Sequence, residues 1–369
     1  MPEKTTSSPT NNNRKKSSKK KTRYNPLLLP CAVLFLSTIV CLVLCIITSA
    51  KLGKADEKLD KLKTKAEATD NVTLSPDELD GLISSASANA SLLGKEEVKA
   101  QIVEMMSVPN PNEAEMLRTM FPEKIVYLAP DGYHFDDISD NIPKNDFKKD
   151  SFSKDDDGYV VFNGDNKEDF LAGIDVSAHQ GTIDWEKVAE GGNIKFAMIR
   201  TGFRGYGSGK MVADEEFENN VKGALENNID VGVYFFSQAT SKDEMQEEID
   251  FVLETIAPYK INCPVVIDIE KVDDSSARGN TISKEERTEY VKLFCDQVKE
   301  KGYTPMIYGN TYSLFAMLNM DELAEYDVWY AFYSSYIYYP YKVRMWQYSE
   351  KFEVPGIDGK VDMNVIIPN

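Results

Sequence analysis

Histidine is almost missing from this chain: His134 and His179 are the only two in 369 residues. No cysteine pair stands at metal-ligand spacing either, so a zinc centre built on His and Cys is excluded, and nothing in the sequence calls for a cofactor. Of five cysteines, Cys31, Cys41 and Cys45 fall inside one apolar stretch. That leaves Cys263 and Cys295, too few for a disulfide scaffold, and both are expected as buried thiols. No nucleophile-elbow motif accompanies the histidines, so a Ser-His-Asp hydrolase has no support. The glycine-rich run Gly205-Tyr206-Gly207-Ser208-Gly209-Lys210 lacks the glycine spacing of a phosphate loop and has Met211 where Ser or Thr must reach magnesium; it reads as a flexible loop.

Basic charge is scarce everywhere but at the start. Residues 1–54 carry ten Lys or Arg against one Glu, a net of +9, which leaves about −27 for the rest of a chain whose total is −18. Nucleic acid is thereby excluded as a partner, because phosphate contacts need Lys and Arg. Long hydrophobic runs are equally scarce, with one exception. Leu27 to Ala50 is nearly all apolar or small, long enough to cross a bilayer as a helix, and the lysines before it mark the side that stays cytoplasmic. The expectation is a basic cytoplasmic tail (1–26), an uncleaved single-pass signal anchor (27–50) and an extracellular remainder. Lys51 to Thr69 carries Leu52, Leu59, Leu62 and Ala66 at heptad-like spacing, so residues 51–123 are expected as a mostly helical stalk capable of weak self-association. Pro109, Pro111 and Pro122 break its later part, and residues 124–169 read as a short linker with strands near 124–128 and 159–162. Asp155-Asp156-Asp157 has no EF-hand spacing after it and reads as solvated linker.

From Phe170 the pattern becomes alternating strands and helices, the signature of an α/β fold. Strands are predicted at 171–176, 195–201, 231–237, 264–270, 304–308, 328–333, 343–348 and 361–366. Amphipathic helices lie between the earlier ones, with Phe217, Val221 and Ala224, then Met245, Ile249 and Val252, then Tyr290, Phe294 and Val298 on their apolar faces. The connections near 335–342 and 349–360 are too short for a crossover helix. The predicted fold class is therefore an irregular (β/α) TIM-like barrel over 170–369, with its second-half helices truncated.

The most informative segment is Pro264-Val265-Val266-Ile267-Asp268-Ile269-Glu270. Alternation along a strand puts Asp268 and Glu270 on one face at the end of a buried run. Two readings fit: a strand end emerging into water, or an acid/base pair in which crowding raises one pKa. In a parallel barrel the C-terminal strand ends converge on one mouth, which brings Asp175 of the first strand and Asp362 of the last toward the pair. Aromatics gather at the same ends: Tyr234, Phe235 and Phe236, Tyr308, Trp329, Tyr330 and Tyr333, Trp346 and Tyr348. Flat rings beside carboxylates suit a sugar polymer, while core packing accounts equally well for any one ring.

Taken in order, Gly173-Ile174-Asp175-Val176-Ser177, His179-Gln180-Gly181, Ile183-Asp184-Trp185, Ile199-Arg200, Asp214, Phe217, Asn220, Gly232-Val233-Tyr234, Asp268-Ile269-Glu270, Trp346-Gln347-Tyr348, Pro355-Gly356-Ile357 and Val361-Asp362-Met363-Asn364 resemble the family 25 glycoside hydrolases, lysozymes of the Chalaropsis type. The resemblance covers about 170–369; nothing in 51–169 matches. It implies an N-acetylmuramidase that cuts the β-1,4 bond between N-acetylmuramic acid and N-acetylglucosamine in peptidoglycan glycan strands. Glu270 matches the general acid. Asp268 matches the carboxylate that steadies the substrate's own 2-acetamido group, an exception to the two-carboxylate pattern; direct activation of water is the other route open. Asp175 and Asp362 match positions that bind substrate and tune the pair. Tyr234, Tyr308, Trp329, Tyr333, Trp346, Tyr348, Arg200, His179 and Asn364 are the expected substrate-binding set. Phe235 stands where many relatives have His, which puts one groove contact in question. A catalytically silent wall-binding scaffold is the alternative, and hydrolysis of a chitin-like polymer a third reading. The implied setting is a Gram-positive-type envelope, with residues 51–169 available to envelope, secretion or conjugation proteins.

Overall fold

The computed structural model describes residues 76–164, 170–191 and 193–368. The predicted anchor at 27–50 and the heptad-like segment at 51–69 lie outside the described residues. Among the described residues no helix is long and apolar enough to cross a membrane. The chain divides into two units between Lys99 and Ala100. Helix α1 (Pro76–Met106) runs through that division, uninterrupted because no proline follows Pro76 until Pro109. Helix α2 (Glu113–Met120) starts at Asn112, whose side chain accepts from the Glu115 amide, and ends just before Pro122.

Two small antiparallel hairpins come next: β1 (Lys124–Ala129) with β2 (Gly132–Asp137), and β3 (Phe152–Lys154) with β4 (Val160–Phe162). The barrel follows. Its strands are β5 (Leu171–Val176), β6 (Phe196–Arg204), β8 (Asp230–Phe236), β9 (Val265–Asp268), β10 (Pro305–Asn310), β11 (Asp327–Ala331), β12 (Met345–Phe352) and β13 (Val361–Ile366). Seven run parallel from β5 through β12; β13 pairs antiparallel with both β12 and β5 and closes the ring. A short strand β7 (Met211–Ala213) folds back on the end of β6. The glycine-rich run read as a flexible loop is thus a hairpin turn, tied by Gly205 N–H to Lys210 O at 2.8 Å and Gly209 N–H to Gly205 O at 2.7 Å.

Helices α3 (Trp185–Glu190), α4 (Phe217–Glu226), α5 (Lys242–Ile256) and α6 (Lys284–Glu300) cover the first half, while only the six-residue α7 (Thr311–Ala316) serves the second. Their apolar positions recur every three or four residues, and on α5 this buries Met245, Ile249, Val252 and Ile256 against the sheet. Each such side chain contributes about 1.5–3 kcal/mol on leaving water. Ser241 caps α5 and a Ser283/Glu286 capping box starts α6, each worth about 1 kcal/mol.

Strand alternation divides the barrel residues between two environments. Ile174, Val176, Val265 and Ile267 face outward under the helices, whereas Phe196, Met198, Val266, Met306, Trp329 and Met345 pack inside. The inward positions nearer the C-terminal strand ends are polar: Asp175, Arg200, Asp268 and Gln347. Reversal of β13 explains why Asp362, near the start of its strand, belongs with these. Its Cα is register partner to that of Asp175 near the end of β5.

Closure of β5 on β6 needs Gly173, since a Cβ there would meet the Phe196 carbonyl oxygen at 2.5 Å. Gly173→Ala is expected to destabilise the protein by about 1–3 kcal/mol through overpacking, measured by urea denaturation. An unchanged midpoint would show that the two strands separate without penalty.

Candidate active site

The acids meet in an open cleft of about 450 Å³ at the C-terminal end of the parallel strands. Asp175, Asp268, Glu270 and Asp362 all line it, together with His179, Arg200, Tyr234, Tyr308 and Trp329. A second depression of about 430 Å³, beside α5 at Asp250, Leu253 and Glu254, contains no comparable cluster of acids. Among the described residues no group of His, Cys, Asp and Glu is arranged to hold a metal ion.

Strand β9 ends at Asp268, and Glu270 lies two residues beyond, more open to solvent than its buried neighbour. Burial raises the pKa of Asp268 well above the ordinary carboxyl range, and the charges of Glu270 and Asp175 raise it further. Glu270 is also raised, by burial first and then by Asp175, while its hydrogen bond with Asp268 works in the opposite direction. Asp268 Oδ1 has no hydrogen-bond partner among the described residues. The pair is therefore harder to ionise than two isolated carboxylates.

Asp175 anchors the other side. Its Oδ2 accepts from Gln347 Nε2 and from Asn364 Nδ2, each at 2.8 Å, and Asn364 Oδ1 accepts from Trp329 Nε1 at 2.8 Å. These amides favour the carboxylate and oppose the burial that raises its pKa. Asp362, hydrogen-bonded to Asp175, is pushed up to about 8, by burial first and then by Asp175 and Glu350. Gln347 Oε1 in turn accepts from the hydroxyls of Tyr308 at 2.9 Å and Tyr333 at 3.0 Å. Arg200 carries the one guanidinium or ammonium group among the described residues lining the cleft, and it is already paired with Asp214 at 2.8 Å. Asp214 also accepts from the Ala178 amide at 3.0 Å, which fixes the turn that carries His179.

Four members of the expected binding set, Trp346, Tyr348, Asn364 and Tyr333, do not line the cleft. Trp346 and Tyr348 are fully buried on the outer face of β12, where Trp346 packs on Phe152 and donates from Nε1 to Phe332 O at 2.8 Å. Alternation is the reason: Met345 and Gln347 take the inward positions, so their neighbours must face out. Phe235 is likewise buried on the outside of β8 against Phe251, so its replacement of His removes no groove contact here. Asn364 is buried beneath Asp175, supporting the acid from below. Tyr333 is half exposed and reaches the site through Gln347. Phe236, one of the aromatics at the strand ends, lines the cleft, as do Gln347, Tyr206 and Val272, which were not expected there. Counting parity from Met345 would have found Gln347; Tyr206 gives no signal until the β6–β7 turn is known.

The sign of the pH dependence follows from Asp362. Folded protein holds that proton to about 8, whereas an unfolded chain releases it near 3.8, so the contribution is full at low pH and is lost as pH rises through about 8. The thermal midpoint should fall between about pH 5 and about pH 9, and fall less in Asp362→Asn. Parallel curves for the two proteins would mean that Asp362 titrates like an exposed carboxylate.

Residues 174–357 match the family described as Glycosyl hydrolases family 25. Among curated proteins, the chain is 30% identical over 204 residues to the uncharacterized protein YegX of Escherichia coli (strain K12), an alignment covering 53% of this chain and 69% of YegX. It is 24% identical over 203 residues to the autolytic lysozyme of Clostridium acetobutylicum, covering 53% of this chain and 55% of that one. Among solved structures, the modular autolysin LytC of Streptococcus pneumoniae, determined in complex with a synthetic peptidoglycan ligand, superimposes with a TM-score of 0.48 at 20% identity, over 66% of this chain and 56% of LytC. The chain thus spans about half the length of the latter two relatives. On the family match and the YegX alignment, with the ordered barrel motifs between them, this chain belongs to the family 25 glycosyl hydrolases.

Proposed function

We propose that the chain is a membrane-anchored, extracellular N-acetylmuramidase that cuts the β-1,4 bond between N-acetylmuramic acid and N-acetylglucosamine in peptidoglycan. The observation that carries this reading is the crowded pair Asp268 and Glu270, both with raised pKa, beside Asp175 in an open, ring-lined cleft. Glu270, the more accessible of the two, donates the proton to the leaving glycosidic oxygen as the C1–O bond breaks. Asp268 accepts the N–H of the 2-acetamido group, whose carbonyl oxygen attacks the anomeric carbon, so that the sugar itself is the nucleophile. Its unpartnered Oδ1 supports that role. Likeness to an autolytic lysozyme supports the polymer.

The apolar stretch 27–50 with its basic flank supports anchoring, with the N-terminus cytoplasmic and the hydrolase outside. Anchoring holds the enzyme at high local concentration beside its polymer, with the part of 51–123 that precedes α2 serving as a stalk. That stalk and the segment to 169 are the stretch offered to envelope or secretion proteins.

Purified, detergent-solubilised full-length protein should release new reducing ends at N-acetylmuramic acid from purified peptidoglycan, and Glu270→Gln should lower the rate about 10²–10⁴-fold. N-acetylglucosamine oligomers in the same assay should remain uncut. Binding of peptidoglycan without release by the wild type would favour a silent wall-binding module instead.

A further inference from the structure

The β11–β12 connection borders the cleft and has no helix of its own to order it. Residues 332–341 read Phe-Tyr-Ser-Ser-Tyr-Ile-Tyr-Tyr-Pro-Tyr, and the hydroxyls of Tyr336, Tyr338 and Tyr341 are met by the segment that precedes the barrel. The Arg118 guanidinium of α2 lies over the rings of Phe332 and Tyr338, 5.0 and 4.3 Å from their centroids. Arg118 is itself oriented by Nε donating to Val126 O at 3.3 Å. Tyr336 donates its hydroxyl to Glu115 on the same helix. Tyr338 Oη accepts the Val126 amide at 2.7 Å, and Tyr341 Oη accepts the Ser139 amide at 2.8 Å. Further along, Asn145 donates its amide N–H to Pro340 O at 3.1 Å, and Lys342 donates to Pro143 O at 2.9 Å.

The barrel holds this loop by ring packing near its end, Tyr339 lying 5.1 Å from Tyr330 and 5.7 Å from Phe315, and by hydrogen bonds at its start. Phe332 N–H donates to Gln347 O at 3.0 Å, and next to it Tyr333 puts its hydroxyl on Gln347 Oε1. Gln347 is the residue that holds Asp175. Tyr333 therefore joins a loop ordered in part from outside the barrel to the amide that orients an acid inside it.

We propose that residues 113–145 are a positioning clamp for the active site, in which Arg118 and Glu115 hold the 332–341 loop so that Tyr333 stays on Gln347 and presents its ring to the glycan. Arg118 is a positioning residue: it acts through Phe332 and Tyr338 and touches no reacting atom. The barrel from 170 onward is then an incomplete enzyme without the helix and hairpin before it. The kinetic consequence drawn here rests on the hydrolase reading; the ordering of the loop does not.

Both are read on the full chain with Arg118→Ala, Arg118→Lys, Tyr333→Phe and the double variant Arg118→Ala/Tyr333→Phe, using soluble peptidoglycan oligomers. Arg118→Ala should raise KM about five- to tenfold with kcat changed less than about twofold, because substrate contact is loosened while the acid pair is untouched. Arg118→Lys, which keeps a cation over the rings, should recover part of the loss. The double variant should be little worse than either single one, since both break the same link. Fully additive effects, or a loss confined to kcat, would overturn the proposal. Hydrogen exchange supplies the reading that needs no activity: amides of 332–342 should exchange faster in Arg118→Ala while those of β5 do not change. Unchanged loop exchange overturns the clamp, whereas faster loop exchange in a protein whose wild type releases nothing upholds the clamp and overturns the hydrolase reading alone. Tyr336→Phe, which removes one hydroxyl, gives the same comparison if Arg118→Ala does not fold.

Discussion

Four carboxyl groups share one barrel mouth, and the guanidinium that lines it with them is already committed to Asp214. This shortage of positive charge is the constraint on which the site depends. Ionised carboxylates crowded together away from water repel one another strongly, and the usual resolution is a shared proton. In this protein the resolution takes two forms. Asp175 is provided with amide donors from Gln347 and Asn364 and accepts a hydrogen bond from Asp362, which keeps its proton. Asp268 and Glu270 lack such donors, and burial together with the charge of Asp175 raises the pKa of both. The proton affinity of these acids is thus set by what surrounds them, without a metal-ligand cluster among the described residues.

The fold makes that crowding possible through one departure from a regular parallel barrel. With β13 running backwards, the start of the last strand reaches the same end of the ring as the finish of the first, and Asp362 meets Asp175. The short connection before β13 leaves no room for a crossover helix and permits this reversal. The same economy of helices leaves only part of the β11–β12 loop covered by the barrel, at Tyr339 and Tyr341 over Phe315, and α2 with the β1–β2 hairpin covers more of it. The buried polar network and the packing of the second half are therefore two consequences of one topology.

Much of this was legible from residues alone. Apolar runs ending in acids marked β5 and β9, and the ordered motifs named the family. Helical periodicity on α4, α5 and α6 located the layer around the first half, and the short late connections foretold the missing helices. Aromatic content, by contrast, was a poor guide to position. Trp346 and Tyr348 were counted with the site because they stand beside it in sequence, yet strand parity sends them outward and gives the inward place to Gln347. The stacking of Arg118 on Phe332 and Tyr338 joins residues more than 200 positions apart, and neither periodicity nor composition carries such a pairing. It became visible only once the chain was folded.

The central claim is that protons remain on these carboxyl groups near neutral pH. Carbon-13 NMR of labelled Asp and Glu carboxyl carbons, titrated in wild type and in single amide variants for assignment, counts those protons directly. The account predicts one proton held between Asp268 and Glu270 and a second between Asp175 and Asp362 at about pH 7, where exposed carboxyls with pKa values of about 4 are fully ionised. Four titrations near about 4, with no carboxyl protonated at neutral pH, would contradict it.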